Sequence, residues 1–89
     1  MRNKDNSQTI NNNLINSKLI KGAIKATGLQ IELTAAYNRV DIYLLGAYYA
    51  TVKDVTAAKL IGAIKNAAIN APRWERIINT SYEAYQTAD

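Results

Sequence analysis

Two apolar runs mirror each other across Asn38-Arg39, and they restrict this chain more than any other feature. Leu29, Ile31, Leu33, Ala35 and Tyr37 alternate with Gln30, Glu32 and Thr34. That is the period of a strand with one buried face. Val40, Ile42 and Leu44 continue the alternation beyond the mirror point. A two-residue turn at Asn38-Arg39 suits asparagine, which tolerates positive φ. It sets Tyr37 opposite Val40, Ala35 opposite Ile42 and Leu33 opposite Leu44, all on the apolar side. A slip of one residue would send each of these side chains to the wrong face. Gly46, with Leu45, marks a second turn, and the β-formers Tyr48 to Val52 read as a third strand. The expected meander is therefore Leu29–Tyr37, Val40–Leu45 and Ala47–Val52. Its single apolar face requires a covering layer.

Helical periods flank the meander and supply that layer. From Leu14 to Thr27, the residues Ile15, Leu19, Ile20, Ala23, Ile24 and Ala26 fall on one broad side, and Lys18, Lys21 and Lys25 cluster opposite. Asn12 or Asn13 is the expected N-cap and Gly28 the left-handed C-terminal cap. Asp54 is the expected cap of a second helix over Val55–Ile69, whose core seam is Ala57, Leu60, Ile61, Ile64, Ala67 and Ala68. Proline suits a first helical turn, so Ala71-Pro72 is read as the end of that helix and the start of a third. The third runs from Pro72 to Tyr85 with the stripe Trp74, Ile77, Ile78, Ser81, Tyr82 and Tyr85. Residues 1–12 are almost all polar and read as a flexible tail, followed by one compact domain over 13–89. The fold class is α+β: an N-terminal helix, a three-stranded antiparallel meander, then two helices. A core this thin can draw stability from a partner, so monomer and homodimer are both compatible with the chain.

With 89 residues the chain forms one small domain, and it contains neither cysteine nor histidine. Disulfides, thiol nucleophiles, zinc sites built on thiolate or imidazole, and histidine-based triads are thereby excluded. The seven carboxylates are scattered; Glu32 and Asp41 fall opposite Leu45 and Ala36 in the expected register, so they do not form a pair. No Gly-rich phosphate loop or nucleophile elbow is present. We therefore expect no catalytic site, no metal site and no cofactor. No apolar run is long enough to span a bilayer, and the polar start lacks a signal-peptide core, so a cytoplasmic protein is the expectation.

The formal net charge of +4 is unevenly placed. Arg2, Lys4, Lys18, Lys21 and Lys25 face only Asp5 within the first 28 residues, whereas the rest of the chain is balanced. A localised basic face steers a protein toward acidic partners, protein or nucleic acid. Tyr43, Tyr48 and Tyr49 crowd around Gly46. With a turn at Leu45-Gly46, Tyr43 and Tyr48 are cross-strand neighbours on the side opposite Leu44. If the helices cover only the other side, these tyrosines and Leu45 form an exposed patch of a kind favoured at interfaces.

The order helix, three-stranded meander, helix resembles the layout of double-stranded RNA-binding domains, which implies a nucleic-acid-binding module. Its match to their lysine-rich second helix is poor, since only Lys53 and Lys59 flank Asp54 here. The small size, absence of cysteine and mixed layout are similar to those of phage-encoded inhibitors of host defence nucleases, the anti-CRISPR proteins among them. Many of those are acidic where this chain is basic. The expected function is a non-catalytic interaction protein that occupies a surface of a larger protein or nucleoprotein partner. Tyr43, Leu45 and Tyr48 are the expected anchors, and Lys18, Lys21 and Lys25 the steering charges. The alternatives are a direct DNA- or RNA-binding module using the lysine face, and a self-associating assembly protein.

Overall fold

A computed structural model describes residues 4–87, with side-chain surroundings for 8–80. The element order is α1 (Lys4–Ile15), α2 (Lys18–Thr27), β1 (Ile31–Ala35), β2 (Arg39–Leu44), β3 (Ala47–Lys53) and α3 (Ala57–Thr87). The class is α+β as expected, but the order is two helices, the meander and one helix. The expected order had one helix before the meander and two after it.

The first difference lies at the N-terminus. Residues 4–12, read as part of a polar tail, belong to α1. An asparagine-rich segment has poor helix propensity, so tertiary contact stabilises this helix. Asn11 is buried and its Nδ2 donates to the Ala36 carbonyl at 3.3 Å, while Leu14 and Ile15 pack on the core. The expected cap at Asn12 or Asn13 is replaced by Ser17. Its Oγ donates to the Leu14 carbonyl at 2.6 Å and accepts from the Ile20 N–H, so one hydroxyl ends α1 and begins α2. Gly28 closes α2 with φ +69° and an N–H bond to the Lys25 carbonyl, the left-handed cap that glycine adopts without steric cost.

The meander forms one antiparallel sheet in the order β1-β2-β3. Its first register differs from expectation by two residues: Ile31 pairs with Leu44, Leu33 with Ile42 and Ala35 with Val40. The turn is Tyr37-Asn38, closed by the Ala36 N–H to the Arg39 carbonyl at 2.8 Å. An even shift preserves side-chain parity, so the apolar face survives and Tyr37 is released into the exposed turn. The second turn is Leu45-Gly46, with φ +56° and +86°. Two successive positive φ values match the right-handed twist of a two-residue hairpin. Tyr43 pairs with Tyr48 as expected, and an irregularity at Ile42/Tyr43 leaves Tyr49 as an extra residue before Ala50 pairs with Ile42. Such a bulge re-aims side chains.

All three helices pack on one face of the sheet. Ile20, Ile31, Val40, Ile42, Leu44, Leu60, Ile64, Ala67 and Ala71 form the core between the layers. The α3 helix begins at Ala57. Thr56, with its Oγ1 accepting from the Lys59 N–H at 3.1 Å, takes the capping place expected of Asp54, which instead sits at φ +51°. The helix also continues through Pro72, where the sequence suggested a break, and reaches Thr87. Packing on both sides of the proline explains the continuity: Ala71 is buried, and Trp74 lies against the core with its Nε1 donating to the Leu44 carbonyl at 3.1 Å. Ser81, Tyr82 and Tyr85 of the expected stripe lie outside the described side chains.

Candidate functional site

Strand parity places Glu32, Thr34, Arg39, Asp41, Tyr43, Tyr48 and Thr51 on the face of the sheet away from the helix layer. The α3 side chains that pack in the core, Leu60, Ile64, Ala67 and Ala71, lie on the other face. Tyr43 and Tyr48 meet edge to face with ring centroids 5.9 Å apart, and Tyr48 is 52% exposed. The edge-to-face arrangement aligns the positive rim of one ring with the negative face of the other.

A polar chain braces this pair. Tyr48 OH and Thr51 Oγ1 share a hydrogen bond of 2.5 Å, Thr51 Oγ1 donates to Asp41 Oδ1 at 2.8 Å, and Arg39 Nε donates to the same oxygen at 3.2 Å. Arg39–Asp41 is thus an ion pair on the open face. Its guanidinium is half-exposed, so its net stabilising value is small. What it supplies with Thr51 is a fixed orientation for the Tyr48 hydroxyl. The sequence offers the alternation that puts these residues on one face. It offers no sign of the bulge that sets Thr51 two residues beyond Ala50's inward neighbour Tyr49.

Leu45 does not join the tyrosines. It is partly buried against the core, and it lines a cleft on the helix side with Leu29, Ala68 and Pro72. The positive φ at Leu45 turns the residue out of strand alternation, which removes it from the expected patch.

Lys18, Lys21 and Lys25 are all exposed on α2, in the helix layer and so on the other side of the sheet from Tyr43 and Tyr48. The six residues expected to act together therefore form two surfaces and one partly buried turn residue. Lys21 and Lys25 border a groove of about 320 Å³ whose other lining residues are Ile15, Asn16, Ile24, Ile31 and Leu33. Sequence reasoning missed this groove, because the break between α1 and α2 that creates it is hidden inside one continuous helical period.

Among the described residues, no group of three or more His, Cys, Asp or Glu is placed to hold a metal ion. Among them also, no helix is long and apolar enough to cross a membrane. Compared with known proteins, the chain matches no family model, no curated protein and no solved structure.

Proposed function

We propose that this protein is a non-catalytic interaction module that binds a surface of a larger protein or nucleoprotein through the open face of its sheet. The observation that carries the reading is the Tyr43–Tyr48 pair, edge to face with Tyr48 half-exposed and braced by Thr51 and Asp41. Tyrosines held in place lose little conformational entropy on binding and contribute large contact areas, which is why they are enriched at hot spots. Arg39 beside Asp41 leaves the face close to neutral, which favours a protein surface over a phosphate backbone. A nucleic-acid-handling complex is the partner class we propose, in keeping with the likeness in size and layout to phage-encoded nuclease inhibitors. The test is affinity capture from the source cell with the wild type and with Tyr48→Ala. A partner recovered by the first and lost by the second, at equal thermal stability, supports the reading. Equal recovery by both removes it.

A second reading is favoured by one observation: Lys18, Lys21 and Lys25 are exposed, and no acidic residue lies on α2. Three ammonium groups on one helix face suit successive phosphates. Anisotropy titration against single- and double-stranded DNA and RNA at about 50 and 200 mM salt separates the two. Tight binding that survives the higher salt and prefers one nucleic acid makes the lysine face the principal site. No binding at low salt leaves the tyrosine face as the site.

A further inference from the structure

The lysine-bordered groove lies along β1, an outer strand of the sheet. The Ala36 N–H bonds the Arg39 carbonyl and the Leu45 N–H bonds the Gln30 carbonyl. The register is uniform from Ile31 to Ala35. In an antiparallel ladder the bonded pairs recur at every second residue. Gln30, Glu32, Thr34 and Ala36 therefore direct their backbone groups toward β2, and Ile31 and Leu33 direct theirs away from it. β1 is an outer strand. An outer strand with unpaired N–H and C=O groups is a template for another strand. Natural edges are commonly blunted by charged side chains, Pro or a bulge; Ile31–Ala35 contains no Pro and no bulge, and its one charge, Glu32, belongs to the open face.

Ile31 and Leu33 also line the groove, together with Ile15 and Ile24, and Lys21 and Lys25 stand at its border. The groove thus offers, side by side, a row of backbone donors and acceptors, an apolar floor and two ammonium groups. No acidic side chain lines it. Glu32, the acid nearest in sequence, belongs to the opposite face of the sheet, where it pairs with Tyr43. We infer that this groove takes an extended acidic peptide segment, which adds to the outer edge of β1 as a fourth strand. The side chains of the segment that face the helix layer are apolar toward Ile15, Ile24 and Leu33 and acidic toward Lys21 and Lys25, and those between them face the open side. Main-chain pairing supplies affinity in this mode, and the flanking pockets and charges supply selectivity. A free polyanion satisfies the lysines but neither the backbone row nor the apolar floor. The inference deepens the reading of the chain as an interaction module and rests on it, but it uses neither tyrosine.

The probe is a fluorescein-labelled octapeptide with blocked termini that carries threonine at every second position and valine and glutamate by turns at the positions between, so that both face the groove together. Two more versions carry backbone N-methyl groups, one on every threonine and the other on every valine and glutamate. Saturable anisotropy is expected with the unmodified peptide, with Kd weakened about tenfold or more by Lys21→Glu with Lys25→Glu. One of the two N-methylated peptides is expected to lose at least about tenfold, because it blocks the donors that face β1. The Ile31 and Leu33 amides are expected to exchange more slowly in the complex. If the charge-reversed variant does not fold by circular dichroism, Lys21→Gln with Lys25→Gln replaces it.

Four outcomes would overturn the inference. They are no binding at about 1 mM peptide, equal binding of both N-methylated peptides, unchanged exchange at Ile31 and Leu33, and tighter binding of an octathymidylate than of the peptide. Tyr48→Ala is expected to bind the peptide as the wild type does. A cellular partner lost with Tyr48→Ala, beside a peptide that does not bind, removes this inference and leaves the tyrosine-face reading standing. The reverse pattern removes the tyrosine face alone.

Discussion

Trp74 meets Tyr49 edge to face, with ring centroids 5.3 Å apart and planes inclined at 84°. The contact exists because Tyr49 is the extra residue of the β3 bulge. Tyr48 faces the open side and its neighbour Tyr49 faces α3, where Asn70 Nδ2 donates to its hydroxyl at 3.0 Å. Two adjacent tyrosines thereby serve opposite faces: one completes the interior and the other stays available to a partner. Trp74 secures the same corner through its indole N–H to the Leu44 carbonyl.

Trp74→Phe keeps an aromatic ring against Tyr49 and deletes only that hydrogen bond. We expect a loss of about 1 kcal/mol. Trp74→Ala also removes the ring and is expected to cost about 3 kcal/mol. Urea denaturation measures both, and equal losses for the two variants would show that the N–H, rather than the ring, carries the corner.

Tyr43 and Tyr48 are expected to be coupled but not essential to the fold. Tyr48 is half-exposed, so Tyr48→Ala should cost no more than about 1 kcal/mol. A double-mutant cycle with Tyr43→Ala should return a coupling of about 0.5–1.5 kcal/mol, the range for aromatic pairs. Thr51→Val, which cuts the polar chain from Asp41 to Tyr48, should reduce partner affinity with little change in melting temperature. A cycle that sums to zero would mean that the two rings do not support each other.

The sheet was legible in the sequence because period two leaves few registers. Ile31, Leu33 and Ala35 had to face Val40, Ile42 and Leu44, and the two-residue shift in turn position left that face intact. The Tyr43–Tyr48 pairing followed from Gly46 alone. The helix boundaries were less legible because they depend on tertiary contacts. Ser17 separates α1 from α2 through one hydroxyl, within a helical period that runs on unchanged. The buried Asn11 reads as a polar tail residue until its carbonyl partner, Ala36, is known. Of the candidate sites, the lysine stripe was visible as periodicity. The groove along the outer strand β1 beside it was not, since it depends on how α1 and α2 pack.

Asn11 is expected to hold α1 on the hairpin. Asn11→Ala leaves the Ala36 carbonyl without its side-chain donor and should cost about 1 kcal/mol. The loss should be local: amide exchange should accelerate across Lys4–Ile15 before it changes in β2. Uniform acceleration throughout the chain would instead show that α1 unfolds only together with the core.

Pro72→Ala tests why α3 is one helix. Proline has no N–H, so the Ala68 carbonyl lacks its donor four residues on, and the pyrrolidine ring crowds that carbonyl. In an isolated helix the replacement is favourable by about 3 kcal/mol. Here Pro72 stands between the buried Ala71 and the hydrogen-bonded Trp74, and its ring shares a cleft with Leu29 and Leu45. Any bend that proline imposes is therefore built into the position of Trp74 over Leu44. The recovered hydrogen bond and the released ring contact oppose each other, and we expect the first to exceed the second by about 1 kcal/mol, raising the melting temperature by roughly 4–8 °C. A lowered melting temperature, with Trp74 fluorescence shifted to the red, would show that the proline geometry is needed to seat the indole on the β2–β3 turn.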